Sequence, residues 1–255
     1  MNMSAVRDFL EEKALFYNRP EFIETDPVLI PRLFDSKENM EISGFLVSTI
    51  AWGNRISILK NGQRLMRLME NDPYRFILQA SSDDLNAVSG FVHRTFNGKD
   101  TLFFLKSLKN IYMRYGGLDE VFYEGYRQGG DVRSALIRFH DLFFDMPYLQ
   151  RTYRHVADAG AGSAAKRLNL FLRWMVRKDD RGVDLGIWNG IPPSALMLPL
   201  DVHSGRVARE LGLLHRRQND WKAVEEVTCR LRSFDPVDPV KYDFALFGLG
   251  IFEKF

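Results

Sequence analysis

Apolar positions recur at intervals of three and four along almost the whole chain, the period of a helix and not of a strand. Ile42, Phe45, Leu46, Thr49 and Ile50 share one helical face. Leu59, Gly62, Leu65, Met66 and Met69 repeat the pattern until Asn71-Asp72-Pro73 stops it. Phe104, Leu108, Ile111, Tyr112 and Tyr115 form a stripe that ends at Gly116-Gly117, and Val132, Ala135, Leu136, Phe139 and Phe143 form another, closed by Pro147. Later stripes are Leu168, Phe171, Leu172 and Met175, then Val207, Ala208 and Leu211, then Trp221, Val224, Thr228 and Leu231. Alternating runs are missing, and Asn97-Gly98 and Asn189-Gly190 lack flanking strand patterns. The expected class is all-α, with short helices that bury their stripes against one another. The longest stretch without a stripe, residues 179–200, carries Gly182, Gly186, Gly190, Pro192, Pro193 and Pro199. A loop of that length in a compact chain is functional or links two lobes.

At 255 residues and 45% apolar, the chain has core enough for one large domain or two small ones, and disorder or fibrous repeats are excluded. No run of 18 apolar residues is present, so no membrane-spanning helix is expected. The first twelve residues lack the pattern of a secretory leader, which makes the cytoplasm the expected location. Cys229 stands alone, so an internal disulfide and a cysteine-only zinc or iron–sulfur site are ruled out. No metal or cofactor is expected. The net charge of +2 is uninformative, but its distribution is not. Between residues 148 and 181, Arg151, Arg154, Lys166, Arg167, Arg173, Arg177, Lys178 and Arg181 face only Asp158, Asp179 and Asp180. That excess needs a partner or a reason.

Within residues 159–178 (AGAGSAAKRLNLFLRWMVRK), Lys166, Arg173 and Arg177 fall within about 40° of one another, opposite the apolar stripe, with Asn169 beside them. Gly160-Ala161-Gly162-Ser163 reads as a Gly-rich turn followed by a serine N-cap, whose exposed N–H groups suit a phosphate. The alternative is a solvated face on an amphipathic helix. Further along, Leu198-Pro199-Leu200-Asp201-Val202-His203-Ser204-Gly205-Arg206-Val207 places Asp201 as the natural N-cap of a helix. A carboxylate held by helix N–H groups stays ionised, so it can support a developing cation or activate a water or amine. It can equally be a structural cap.

Pro199-Leu200-Asp201-Val202-His203-x-x-Arg206-Val207-x-x-x-Leu211-Gly212-Leu213 resembles the signature of the helix-hairpin-helix DNA glycosylases, in which Val-Asp-Thr-His-x-x-Arg-Val carries the catalytic aspartate. Phe45-Leu46-Val47-Ser48-Thr49 followed by Asn54 resembles their early Leu-Leu-Ser helix, and the Gly-rich turn before Lys166 stands where the hairpin belongs. Trp221 to Leu231 and Tyr242-Asp243-Phe244-Ala245-Leu246-Phe247-Gly248 resemble the closing helices. The whole pattern looks closest to an uncharacterised, DUF2400-like bacterial branch, with similarity to the archaeal 8-oxoguanine glycosylases. Two departures stand out. Ala164 occupies the position of the usual nucleophilic lysine, and Lys166 lies 35 residues before Asp201, about twice the common separation.

The resemblance implies a two-lobed helical fold, with residues near 40–150 in one lobe and residues 1–39 plus 151–255 in the hairpin lobe. It implies a monomer that binds double-stranded DNA and excises a damaged purine such as 8-oxoguanine, with AP-lyase activity as an option and without an iron–sulfur cluster. Asp201 would stabilise the positive sugar and Lys166 would supply the amine. Trp52, Asn54, Arg55 and His203 are the base-pocket candidates; Gly160, Gly162, Ser163, Arg167, Arg173, Arg177 and Arg206 are the DNA contacts. The alternative is a catalytically inactive nucleic-acid-binding member of the same fold. Trp174 and Trp188 can stack on a base or fill the core.

Overall fold

The computed structural model describes residues 2–253 and 255. Helices account for 66% of the chain and strands for 2%, so the fold is all-α. The chain divides into two compact units: Ile23–Ala157, here the central unit, and Met1–Phe22 with Asp158–Phe255, the terminal unit.

The first helix of the terminal unit, α1 (Met3–Tyr17), starts on the side chain of Asn2. The central unit then carries α2 (Lys37–Thr49), α3 (Arg55–Leu68), α4 (Pro73–Gln79), α5 (Ser82–Ser89), a hairpin of β1 (Val92–His93) and β2 (Phe96–Asn97), α6 (Gly98–Tyr115), α7 (Leu118–Gly129), α8 (Val132–Phe143) and the short α9 (Gln150–Tyr153). The sequence predicted no strands because two residues each are too few to show alternation. Asn97 ends β2 and caps α6, so the Asn-Gly pair is a helix start. Helix α2 is buried from Glu41 to Thr49, as a central helix wrapped by others must be. Around it the apolar stripes meet as rings: Phe45 stacks on Phe104 at 5.7 Å, Phe104 meets Phe143 edge-on at 4.8 Å, and Phe122 stacks on Phe139 at 4.6 Å. Gly125 lets α7 and α8 touch, since a Cβ there would lie 2.8 Å from the Ala135 backbone. Residues 23–39, expected with the hairpin lobe, belong to the central unit: the turns Pro27–Leu29 and Pro31–Leu33 pack on α2, and Asp26 pairs with Arg55 at 3.0 Å. Residues 151–157 also belong to it.

The terminal unit continues with α10 (Lys166–Val176), α11 (Val202–Glu210), α12 (Trp221–Phe234) and α13 (Tyr242–Gly248), which runs into a π turn, Leu249–Glu253. Helix α13 packs on α1, with Gly248 against the Tyr17 ring. The irregular residues 179–200 lie wholly inside this unit, so they do not link the two units. Their backbone is tied down at several points. Leu185 and Trp188 donate to the last carbonyls of α10, and the Arg232 guanidinium gathers the carbonyls of Ser194, Ala195 and Leu196. Trp174 and Trp188 are 0% and 2% exposed, which makes both of them core residues.

Candidate functional site

Asp201 is the N-cap of α11. Its Oδ1 accepts from the backbone N–H of His203 at 2.8 Å and of Ser204 at 2.9 Å, and the Ser204 hydroxyl accepts from the Asp201 N–H at 2.9 Å. The Asn219 amide donates to the Asp201 carbonyl at 2.9 Å, so the turn is held from both sides. All of these contacts use Oδ1 or the backbone. Among the described residues, Oδ2 takes no hydrogen bond. The carboxylate is therefore fixed by one oxygen and available through the other. His203 and Arg206 are exposed on the same helix, and Arg206 donates to the Gly250 carbonyl at 3.2 Å.

Helix α10 starts differently from the sequence expectation. Ser163 is not its cap; the N-cap is Ala165, in a left-handed conformation and without a side-chain bond. Nor does the Gly-rich turn offer a row of open donors. Asp158 closes it: the Ala161 N–H reaches the Asp158 side chain at 2.9 Å, the Ser163 N–H the Asp158 carbonyl at 3.0 Å, and the Gly162 N–H the Ala159 carbonyl at 3.1 Å. Gly162, at φ +89°, supplies the left-handed bend this requires. The phosphate role expected of Gly160, Gly162 and Ser163 therefore loses the donors of residues 161–163. The turn's work is to deliver Lys166, half-buried, as the first residue of α10.

The basic face of α10 is also corrected. Arg173 and Arg177 have side chains only 3% and 2% exposed, so neither is available to a DNA backbone. Arg177 pairs with Asp179 at 2.8 Å, Asp184 at 3.0 Å and Asp238 at 2.8 Å. Arg173 pairs with Asp184 at 3.2 Å and with Asp243, and both guanidinium groups lie over the Phe244 ring, at 4.3 and 5.3 Å. Burial opposes the Arg177 charge, but the facing Asp184 and Asp238 outweigh it and raise its pKa. The sequence showed the cations in one cluster and left two of the four matching carboxylates, Asp238 and Asp243, at distant positions. Buried charge of this density survives only when paired. Arg167 is half-buried, and burial draws its guanidinium down to about 10, still cationic at neutral pH.

Two further buried polar residues enter here: Asn169, which the sequence set beside the cations of α10, and Asp243, which it offered only within the closing-helix motif. Asn169 is 1% exposed; its amide donates to the Ala164 carbonyl at 3.0 Å, and its Oδ1 has no donor among the described residues. Asp243, on α13, is 4% exposed and accepts from Arg173. Burial pushes its carboxyl up to about 6; Arg173 and Lys166 pull it down, and the Asp201 charge adds to the rise. The charges of Asp201 and Lys166 thus both act on Asp243. A lone acid on an aromatic-rich helix was the available signal.

The remaining candidates belong to the central unit. Trp52 is half-buried, edge-on to His93 at 5.1 Å and near-parallel to His155 at 6.2 Å; burial draws His93 below its ordinary value. Asn54 and Arg55, the neighbouring pocket candidates, belong to the start of the next helix. Helix α2 stops at Thr49, Asn54 caps α3 by accepting from the Ser57 N–H at 3.1 Å, and Arg55 begins that helix. Among the described residues no cluster of metal-binding side chains forms, and no helix is long and apolar enough to cross a membrane.

No curated protein and no solved structure significantly matches the chain. Residues 26–252 match the family described as "Protein of unknown function (DUF2400)", nearly the full length, and the chain belongs to that family.

Proposed function

We propose that the chain is a base-excision DNA glycosylase that removes a damaged purine such as 8-oxoguanine, with Lys166 and Asp201 as its reacting groups. The observation that supports this reading is an anchored carboxylate, Asp201, one of whose oxygens takes no hydrogen bond among the described residues, in the same unit as the half-buried Lys166 at the start of α10. Excision needs an anion beside the sugar as positive charge develops at C1′, and Asp201 meets that need through its unused Oδ2. In the lyase branch the Lys166 Nζ lone pair bonds to C1′ while the C1′–N bond breaks. That bond's electron pair leaves with the base, which takes up a proton. The exposed Arg206 and half-buried Arg167 remain as cationic contacts for the phosphate backbone.

The test is a panel of duplexes carrying single purine lesions. Cleavage of one lesion, reduced about 100- to 1,000-fold in Asp201→Asn, supports the reading. A panel left untouched at micromolar enzyme removes it. A second reading, an inactive nucleic-acid-binding member, draws on Ala164 at the usual lysine position and on the internal use of Arg173 and Arg177. Borohydride trapping separates the two. A covalent adduct with DNA, lost in Lys166→Ala, excludes inactivity.

A further inference from the structure

We infer that helix α3 of the central unit is a nucleic-acid contact: Lys60, Arg64 and Arg67 form an exposed row of cations that binds the phosphate backbone of a duplex. This goes beyond the excision reading, whose reacting groups and phosphate contacts lie in the terminal unit, and it stands without it.

The row begins as a sequence spacing. No Asp or Glu occurs between Glu41 and Glu70, while that stretch carries Arg55, Lys60, Arg64 and Arg67. Positions 60, 64 and 67 are four and three residues apart, so they stand one above another on a helix. The fold exposes all three, along with Ser57 and Gln63, and turns Ile58, Leu65 and Met66 into the core. Gly62 seats that inner face, since a Cβ there would lie 3.3 Å from both Ile30 and Val47. The helix is therefore fixed in rotation, with its basic side outward.

These cations are not used internally. Among the described residues the side chains of Lys60 and Arg67 have no hydrogen-bond or ion-pair partner. Glu70, three residues beyond Arg67, pairs with Arg75 at 2.8 Å instead, and Asp26 takes Arg55 at 3.0 Å. Arg64 rests over the Phe91 ring, 5.9 Å from its centroid, and donates one nitrogen to the Gly90 carbonyl at 3.4 Å. Helix α10 does the reverse, burying Arg173 and Arg177 against carboxylates. Like charges four residues apart weaken a helix, and no acid on α3 offsets that. An external polyanion does.

Spacing points to the kind of polyanion. The row covers about 10 Å of helix axis, and over that length one strand of a duplex presents about three phosphates. Ser57 and Gln63 add neutral donors of the kind that reach phosphate oxygens. A lipid surface fits poorly, because the core already takes the apolar side of α3 and, of its large apolar side chains, Ile56 is the exposed one.

The test follows binding of the full-length protein to a labelled duplex by fluorescence anisotropy across a salt series. Lys60→Gln, Arg64→Gln and Arg67→Gln should each reduce the slope of log affinity against log salt by about one, and the triple variant by about three, alike on every duplex sequence. Lys106→Gln and Arg114→Gln, which remove exposed cations of α6, should leave the slope in place. An unchanged slope in the α3 variants, or an equal fall in the α6 controls, overturns the inference. So does tighter binding to phosphatidylserine vesicles or to polyglutamate than to the duplex, or no duplex binding at low salt. Glutamine is a good helix former, so the variants should fold. The wild type gives an independent reading by acetylation: the duplex should protect Lys60 and leave Lys106 reactive, and equal protection of the two overturns the inference as well. None of these readouts needs strand cleavage. A reduced slope beside an inert lesion panel retains the α3 surface and discards the glycosylase, whereas excision with an unchanged slope does the opposite.

Discussion

The two units differ in emphasis: both bury carboxylates, Glu41 and Asp100 in the central unit and Asp184 and Asp243 in the terminal one, but among the described residues fully buried arginines occur in the terminal unit alone. The central unit is held by phenylalanines, with Phe45, Phe104, Phe139 and Phe143 in one contact set and no charge among them. The terminal unit places two arginines and two aspartates at nearly zero exposure: Arg173, Arg177, Asp184 and Asp243. Ring packing is indifferent to pH and salt and tolerates any partner of similar volume. Buried ion pairs cost desolvation and are weak evidence for stability, but each member fixes the geometry of the others. Such fixity suits charged groups that must hold their places, whereas helices that only need to cohere do not require it.

The comparison breaks most readily at Arg177. Arg177→Met leaves Asp179, Asp184 and Asp238 without their shared cation and is expected to cost about 3–5 kcal/mol in urea unfolding. Phe104→Ala in the central unit should cost a similar amount, about 3–5 kcal/mol, from lost burial and a cavity. The two are told apart by acid. Lowering the pH protonates the stranded carboxylates and shrinks the Arg177→Met loss, while the Phe104→Ala loss stays constant. Equal pH dependence would erase the distinction between the units.

A finer test uses Asp243. Its folded carboxyl, at about 6, lies above the unfolded value near 4, so folding favours the protonated form. Relative to Asp243→Asn, the wild type should therefore lose stability as pH rises from about 4 through 6, by up to roughly 3 kcal/mol, and the difference should be flat above that. A difference that grows in the opposite direction contradicts the burial assigned here. The smallest expected effect is at Asp201. Asparagine caps a helix about as well as aspartate, so Asp201→Asn should shift stability by less than about 0.5 kcal/mol, while the excision proposed above should fall steeply. A matched fall in both would reduce Asp201 to a structural cap.

Much of the scaffold was legible because a helical stripe is a local property. The residues of the Val132–Phe143 stripe and of the Leu168–Met175 stripe are all buried. The start of α11 was legible for the same reason, since Asp201 needs only its next three residues to cap. The basic face of α10 was misread because the partners of Arg173 and Arg177 lie up to 70 residues away, at Asp238 and Asp243, and no local pattern announces a pairing across that distance. Ser163 was misread as a cap because the competing bond, from Asp158 into the turn, lies five residues upstream. The start of α3 at Arg55 is not announced by a stripe, because Gly53, left-handed, lets the chain leave α2 and begin α3 within a few residues.

The joint before α10 is a left-handed alanine where a glycine would be the easier choice. At φ 46° Ala165 bears a penalty of about 1 kcal/mol, and at 1% exposure it has no room for a larger side chain. Glycine would take this bend without that strain, though from a freer unfolded chain, so at positive φ the balance favours glycine. The bend from which the lysine departs is thus held by a strained main-chain residue together with the side chains of Asp158, Ser163 and Asn169 that bond into it.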